Sequence, residues 1–312
     1  MKSPTVSVVM SVYNGADTLA RTLQSILDQQ DCDFEFIVVN DGSTDRSADI
    51  LDDWAARDDR LRVIHQQNTG LTRALIRGCA ESKGEFIARQ DCGDISLPGR
   101  LVSQSAMLQA HPDGVLVACG TRFTAPDGEY LSDVTRPGKT LQEGLAVLDV
   151  KGIKGPPHHG GTMFRKATYA AVGGYRAPFI VAQDIDLWLR LSEQGRLIGQ
   201  ADVFYVADMY PGSISNRRRL EQFRLATLAI ECAISRRKGD GDQALIDASR
   251  LAPEPSENTG RPISASHEKA RLFYFAGSCL LRTDRIAAKR YLRRALIERP
   301  FHFRALVRYF LG

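Results

Sequence analysis

Asp91 and Asp94 lie in the stretch ARQDCGDISLPGRL (residues 88–101), directly after the apolar run GEFIA and ahead of a Pro-initiated helical segment. Carboxylates crowded at the end of a buried strand repel one another, so they usually have a cation or a sugar to hold. Gly93 stands where a further Asp would complete a D-x-D spacing. His158 and His159, in PPHHGG, offer two imidazoles that could ligate a metal or contact a sugar. Neighbouring side chains of an extended segment point opposite ways, so at most one of the two faces any one cleft.

Such groups need a scaffold, and the front of the chain supplies one. The runs TVSVVMSVY, FEFIVVN, LRVIHQ and GEFIARQ alternate with helical patterns over residues 17–29, 45–57 and 71–82. Apolar runs of strand length separated by amphipathic helices indicate an α/β fold with a mostly parallel central sheet covered on both faces. Ligands of open α/β sheets bind beyond the carboxyl ends of the strands. Tyr13 and Asn14, Asp41 to Asp45, and Asp91 to Asp94 therefore open on one edge. Residues 121–155 read as turn-rich and less regular, followed by strand and helix signals up to RLIGQADVFYV.

Beyond residue 214 the pattern is helical, which divides the chain into a domain of residues 1–214 and a region of residues 215–312. The segment 217–238 reads as one long helix, and LAPEPSENTGRPIS has a linker's composition. Two further helices resemble a single tetratricopeptide unit, with Leu272, Phe275, Ala276, Ala288, Leu292, Ala295 and Pro300 at matching intervals. One such unit cannot bury its own face, so it must pack on the first domain or on a partner.

The charge balance divides the same way. The net charge of +4 hides 20 Lys and Arg against 10 Asp and Glu in residues 215–312, leaving 21 against 27 in residues 1–214. Arg217 to Arg219, Arg236 to Lys238 and Arg293 with Arg294 suit peripheral contact with anionic membrane headgroups. The aromatic platforms that nucleic-acid binding would require are lacking among them. Hydrophobic content of 43% and charged content of 25% fit a globular protein with a real core. No apolar run reaches membrane-spanning length, the N-terminal residues lack a signal-peptide pattern, and the six Cys form no C-x-x-C pair. Those features point to a cytoplasmic chain without disulfides. PGKT at residues 137–140 lacks the Gly that a phosphate-binding loop needs five residues earlier.

The motifs VSVVMSVYNGADTL, FIVVNDGSTD, NTGLTRAL, KGEFIARQDCGDISLPGRL, GTMFRK, VGGY and QDIDLWLRL, in this order over residues 4–210, resemble glycosyltransferase family 2. The resemblance implies a GT-A fold and an inverting, non-processive sugar transfer from a nucleotide-sugar donor to a glycan or lipid-linked acceptor. It implies that Tyr13, Asn14 and Asp41 hold the nucleotide and that Arg73 faces the diphosphate. It implies too that Asp91 holds the donor and that Asp184 is the base which deprotonates the acceptor hydroxyl. Gln183 replaces the other acid of the family's pair. Asp186 falls on another helix face and is expected in solvent.

The family pattern at the opening stretch is D-x-D-D, and the missing middle Asp is the usual ligand for Mn²⁺ or Mg²⁺. Three outcomes stand open: Asp91 or Asp94 holds the metal with waters, helped by His158 or His159; a cation such as Arg73 replaces it; or only binding survives. The last would make the chain a catalytically degenerate nucleotide-sugar or glycan-binding protein that recruits a partner through its helical tail.

Overall fold

The structure is a computed structural model that describes residues 3–209, 218–251 and 264–311. Strands β1 (Val6–Val12), β2 (Phe34–Asp41) and β4 (Phe86–Arg89) are buried almost without interruption, as strands covered on both faces must be. With β3 (Leu61–Gln66) they form a parallel half-sheet in the order β3-β2-β1-β4. Helices α1 (Ala16–Leu27), α2 (Ser47–Ala55) and α3 (Leu71–Ala80) carry the crossovers. Helix α2 starts two residues later than the periodicity predicts. Asp45 folds its carboxylate back to accept from Ser47 N at 2.9 Å and so ends the preceding loop.

The second half adds β5 (Ile95–Ser96), α4 (Arg100–Ala110), β6 (Gly114–Thr124), β7 (Tyr130–Val134), α5 (Gly138–Ala146), β8 (Thr162–Arg165), α6 (Lys166–Ala171), α7 (Gln183–Ser192) and β9 (Arg196–Asp208). The sheet continues β4-β8-β6-β9-β5, with β7 paired to β6. Strand β8 runs antiparallel to both β4 and β6, and β9 runs parallel to β6. The region 121–155 is thus more regular than its composition suggests, holding the end of β6, all of β7 and α5. The direction of β8 matters for the site. Because it runs against β4, the residues before it, His158 and His159, arrive at the carboxyl edge of the parallel strands.

Helices α8 (Arg219–Lys238) and α9 (Gln243–Leu251) follow. The expected boundary at residue 214 and Arg217 lie outside the described residues. The core does not stop there, however. Leu225, Leu228, Ile230 and Cys232 of α8 and Ile246 of α9 are buried in the same cluster as Leu187 and Leu191 of α7. Helices α8 and α9, expected in the second region, thus pack into the core that α7 shares. An ion-pair chain reinforces the joint. Arg176 pairs with Asp186 and Asp242, and Arg236 pairs with Asp242 and Glu193.

The last unit is a pair of helices, α10 (Ala265–Leu280) and α11 (Arg285–Glu298), followed by α12 (Phe303–Leu311). Leu272, Ala276, Ala288, Leu292 and Ala295 are buried, whereas Phe275 is 49% exposed. The pair covers its face with the β6–β7 hairpin. Tyr291, fully buried, donates to Glu129 Oε2 at 2.7 Å and accepts from Asp127 N at 2.9 Å. Arg290 and Arg294 form ion pairs with Glu129 and Asp127. Arg236 and Arg294, read from sequence as membrane-facing, are spent on these internal joints.

Candidate active site

Asp91 and Asp94 stand in the loop between β4 and β5, at the carboxyl edge of the sheet. With His158 they offer three ligand atoms that all lie within 4.8 Å of one another. His158 Nδ1 is 3.8 Å from Asp91 Oδ2 and 3.7 Å from Asp94 Oδ2, and it accepts a hydrogen bond from Gly160 N at 3.1 Å. Its ring stacks on Tyr205 at 5.3 Å between centroids. Tyr205, fully buried on β9, donates to Asp94 Oδ2 at 2.9 Å and accepts from Asp91 N at 3.1 Å. Gly160 is required here, because a Cβ at that position would lie 1.9 Å from the Tyr205 hydroxyl.

The adjacent histidines divide as an extended segment demands, but His159 takes the inner side. Its Nε2 accepts from Arg89 Nε at 3.4 Å and lies 2.7 Å from the Tyr175 hydroxyl. His159 therefore faces Arg89 and Tyr175, and His158 is the imidazole that groups with the two carboxylates. Burial, then the adjacent Arg89 charge, pushes His159 down to about 3, so it is neutral.

Arg89 and Arg100, both fully buried, set the electrostatics. Arg89 Nη2 donates to Asp91 Oδ1 at 2.6 Å, and its Nη1 donates to the carbonyls of Val9 and Gln90. Burial pushes Asp91 up, but the charge and hydrogen bond of Arg89 lead the effects that outweigh it and hold the carboxyl below its ordinary value. Asp94 lacks such a partner. Burial and the Asp91 charge push it well above the carboxylate range. Arg100 ties the acidic loop to its neighbours, donating to Ser96 Oγ at 2.7 Å, Gln90 Oε1 at 3.1 Å, Arg89 O at 2.7 Å and Gly160 O at 2.6 Å.

Two oxygens and a nitrogen are the hard and borderline donors that Mn²⁺ or Mg²⁺ accepts. A divalent cation would also relieve the repulsion that raises Asp94, so the residues present fit the metal the sequence anticipates. Gly93, between the two carboxylates, has φ +101. An Asp there would pay for a left-handed backbone, and the cluster gains its third donor from His158 instead.

Asp184 is the second residue of α7, after Ala182, whose φ of 56 is left-handed without a glycine. Burial raises its carboxyl to about 6; the Ile185 amide lowers it, and the Asp91 charge adds to the rise. Asp186 is not solvated as expected. It is 1% exposed and held by Arg176 and Arg190, which makes it a brace for α7.

The residues expected to face the nucleotide occupy the same edge. Tyr13 is 53% exposed after β1. Asn14 spends its side chain on the 43–45 loop, accepting from Thr44 N at 2.7 Å. Asp41 is 2% exposed and accepts from Gln66 Nε2, Thr69 N and Gly70 N at 2.8–2.9 Å. It caps the approach to α3, whose first turn presents exposed Arg73. The sequence reading missed Arg89, Arg100, Tyr175 and Tyr205. A charged residue closing the apolar strand FIAR was a usable signal for Arg89; Tyr205, 111 residues from Asp94, had none.

Residues 7–170 match the family described as "Glycosyl transferase family 2". EpsE of Bacillus subtilis (strain 168) is 35% identical over 200 residues, covering 62% of this chain and 68% of EpsE. The O-antigen biosynthesis glycosyltransferase WbnJ of Escherichia coli is 29% identical over 187 residues, covering 60% of this chain and 71% of WbnJ. Other relatives are matched over less of their length, 49% for the glycosyltransferase GlyG of Streptococcus pneumoniae. The crystal structure of S. aureus TarS 1–349 in complex with UDP shares the fold with a TM-score of 0.58 at 16% identity, over 98% of this chain and 89% of that one. The GT-A-like sheet, the acidic edge and the match over more than half of the chain together establish that this protein belongs to glycosyl transferase family 2.

Proposed function

We propose that this glycosyltransferase moves a sugar, with inversion, from a nucleotide-diphosphate donor to a hydroxyl of a glycan or lipid-linked acceptor in polysaccharide synthesis. The observation that carries the proposal is Asp184, a carboxyl raised to about 6 on the same edge as the Asp91, Asp94 and His158 cluster. Asp184 takes the acceptor hydroxyl's proton as that oxygen bonds to the anomeric carbon, and the nucleoside diphosphate leaves with the electron pair. Asp91, Asp94 and His158 would hold the divalent metal, which would supply positive charge to offset that of the departing diphosphate. Arg89 keeps Asp91 ionised for that task. Tyr13 and Asp41 hold the base, and Arg73 reaches the diphosphate. With a lipid-linked acceptor, the chain works at the cytoplasmic membrane surface.

UDP is the first nucleotide to test, because the TarS complex contains it. Calorimetry should show UDP binding strengthened by Mn²⁺, and UDP-sugar turnover should fall about 10²–10⁴-fold in Asp184→Asn. Turnover at the wild-type rate in that variant would refute the assignment of the base. The degenerate-binder reading predicts instead that neither protein turns over any donor.

A further inference from the structure

Helix α12 presents an apolar face to solvent. Ala305 is buried and Tyr309 half-buried against α10 and α11, whereas Phe303, Leu306, Val307 and Phe310 are 75%, 40%, 36% and 71% exposed. Their spacing, i, i+3, i+4 and i+7, puts all four on one stripe of the helix. Ile297 and Phe301, 70% and 97% exposed, lie immediately before it in the chain.

The surroundings of this stripe are basic. Arg304 and Arg308 are exposed along its edge. On α11, Ile286, Lys289, Arg293 and Ile297 follow at helical spacing on one exposed face. Residues 264–312 contain 11 Lys and Arg against 3 Asp and Glu. Among the described residues no helix is long and apolar enough to cross a membrane. An outward apolar stripe edged by arginines is the pattern of a helix that lies in a membrane interface.

We infer that α12 docks on an anionic lipid bilayer, with Phe303, Leu306, Val307 and Phe310 among the acyl chains and Arg304 and Arg308 on the headgroups. Charge complementarity selects this occupant: a second copy would bring two strongly positive faces together, which costs energy that an anionic surface returns. The inference deepens the membrane contact in the proposed function by naming the element that makes it. It also assigns a role to the C-terminal unit: Tyr291, Arg290 and Arg294 fix the helix pair to the β6–β7 hairpin, so the membrane face has a set orientation relative to the catalytic edge.

The test is co-sedimentation of the full chain with vesicles of phosphatidylcholine alone or with about 30% phosphatidylglycerol. Binding to the anionic vesicles should be at least about ten-fold tighter, and should weaken by a similar factor in about 0.5 M salt. The paired change Phe303→Ser and Phe310→Ser should lower vesicle binding about ten-fold or more. Its circular dichroism, UDP affinity and turnover on a soluble acceptor should not change. Equal binding to neutral vesicles, no binding to either, or undiminished binding of the variant would overturn the inference. So would a dimer seen in sedimentation velocity that the same substitutions abolish, since the stripe would then belong to a second copy. A loss of UDP binding in the wild type would bear on the catalytic reading and not on this one.

Discussion

Burial raises the Asp184 carboxyl to about 6, so the folded chain holds that proton more tightly than the unfolded chain does. The sign follows directly. Stability from this group is greatest below the unfolded carboxyl's range near 4, declines as pH rises, and is lost above about 6. A base must be ionised, so transfer should fall on the acid side of about 6, the range in which the fold gains. Asp184→Asn should therefore raise the melting temperature by a few degrees at pH 7–8, from about 1–2 kcal/mol, while removing transfer. The gain should vanish near pH 4, and a melting temperature lowered at neutral pH would contradict the account. The two histidines make a second pair of opposites. His158→Ala should weaken Mn²⁺ binding about ten-fold by calorimetry, whereas His159→Ala should leave it within a few-fold. The His159 change should instead destabilise, because Arg89 and Tyr175 lose a buried partner. Equal effects of both on Mn²⁺ affinity would remove His158 from the ligand set.

The elements show how these residues are brought into register. Strand β8 delivers His158 because it is antiparallel, and β9 delivers Tyr205 because it is long enough to reach the same edge. Helix α7 holds Asp184 because Asp186, buried two residues on, is gripped by Arg176 and Arg190. The helix pair α10–α11 is fixed by a smaller contact, in which the Tyr291 hydroxyl satisfies Glu129 and the Asp127 amide. Tyr291→Phe should cost about 1–2 kcal/mol of docking, seen as faster hydrogen exchange in α10 to α12, with UDP binding unchanged. Unchanged exchange would mean that Ala125, Leu280 and their apolar neighbours hold the unit without the hydroxyl.

Across the whole molecule the main core runs from β1 through α7 into α8 and α9. A chain cut after residue 214 would expose the faces that Leu225, Leu228 and Ile230 cover, and should aggregate or unfold. A chain cut after residue 251 retains that core and should remain folded and bind UDP. Soluble, UDP-binding protein from the shorter cut would show that α8 is dispensable and support a boundary at 214. The parallel half-sheet, its crossover helices and the acidic edge were legible from the apolar runs and their punctuation. Asp91, Asp94 and Asp184 were singled out through the family's motifs, and the structure places all three at element ends on the carboxyl edge. Asp186 was misread because helical periodicity gives direction on the helix but not what packs there.

The sequence alone determined the alternation of strands and helices, the family and the acids on the carboxyl edge, since these depend on local periodicity and short motifs. Tertiary structure decided which histidine meets the carboxylates, that Arg89 and Arg100 underlie them, that Tyr205 joins from β9, and that α8 belongs to the core. Each of those depends on contacts between segments far apart in the chain. Strand direction and burial create such contacts, and they leave no spacing rule in the sequence.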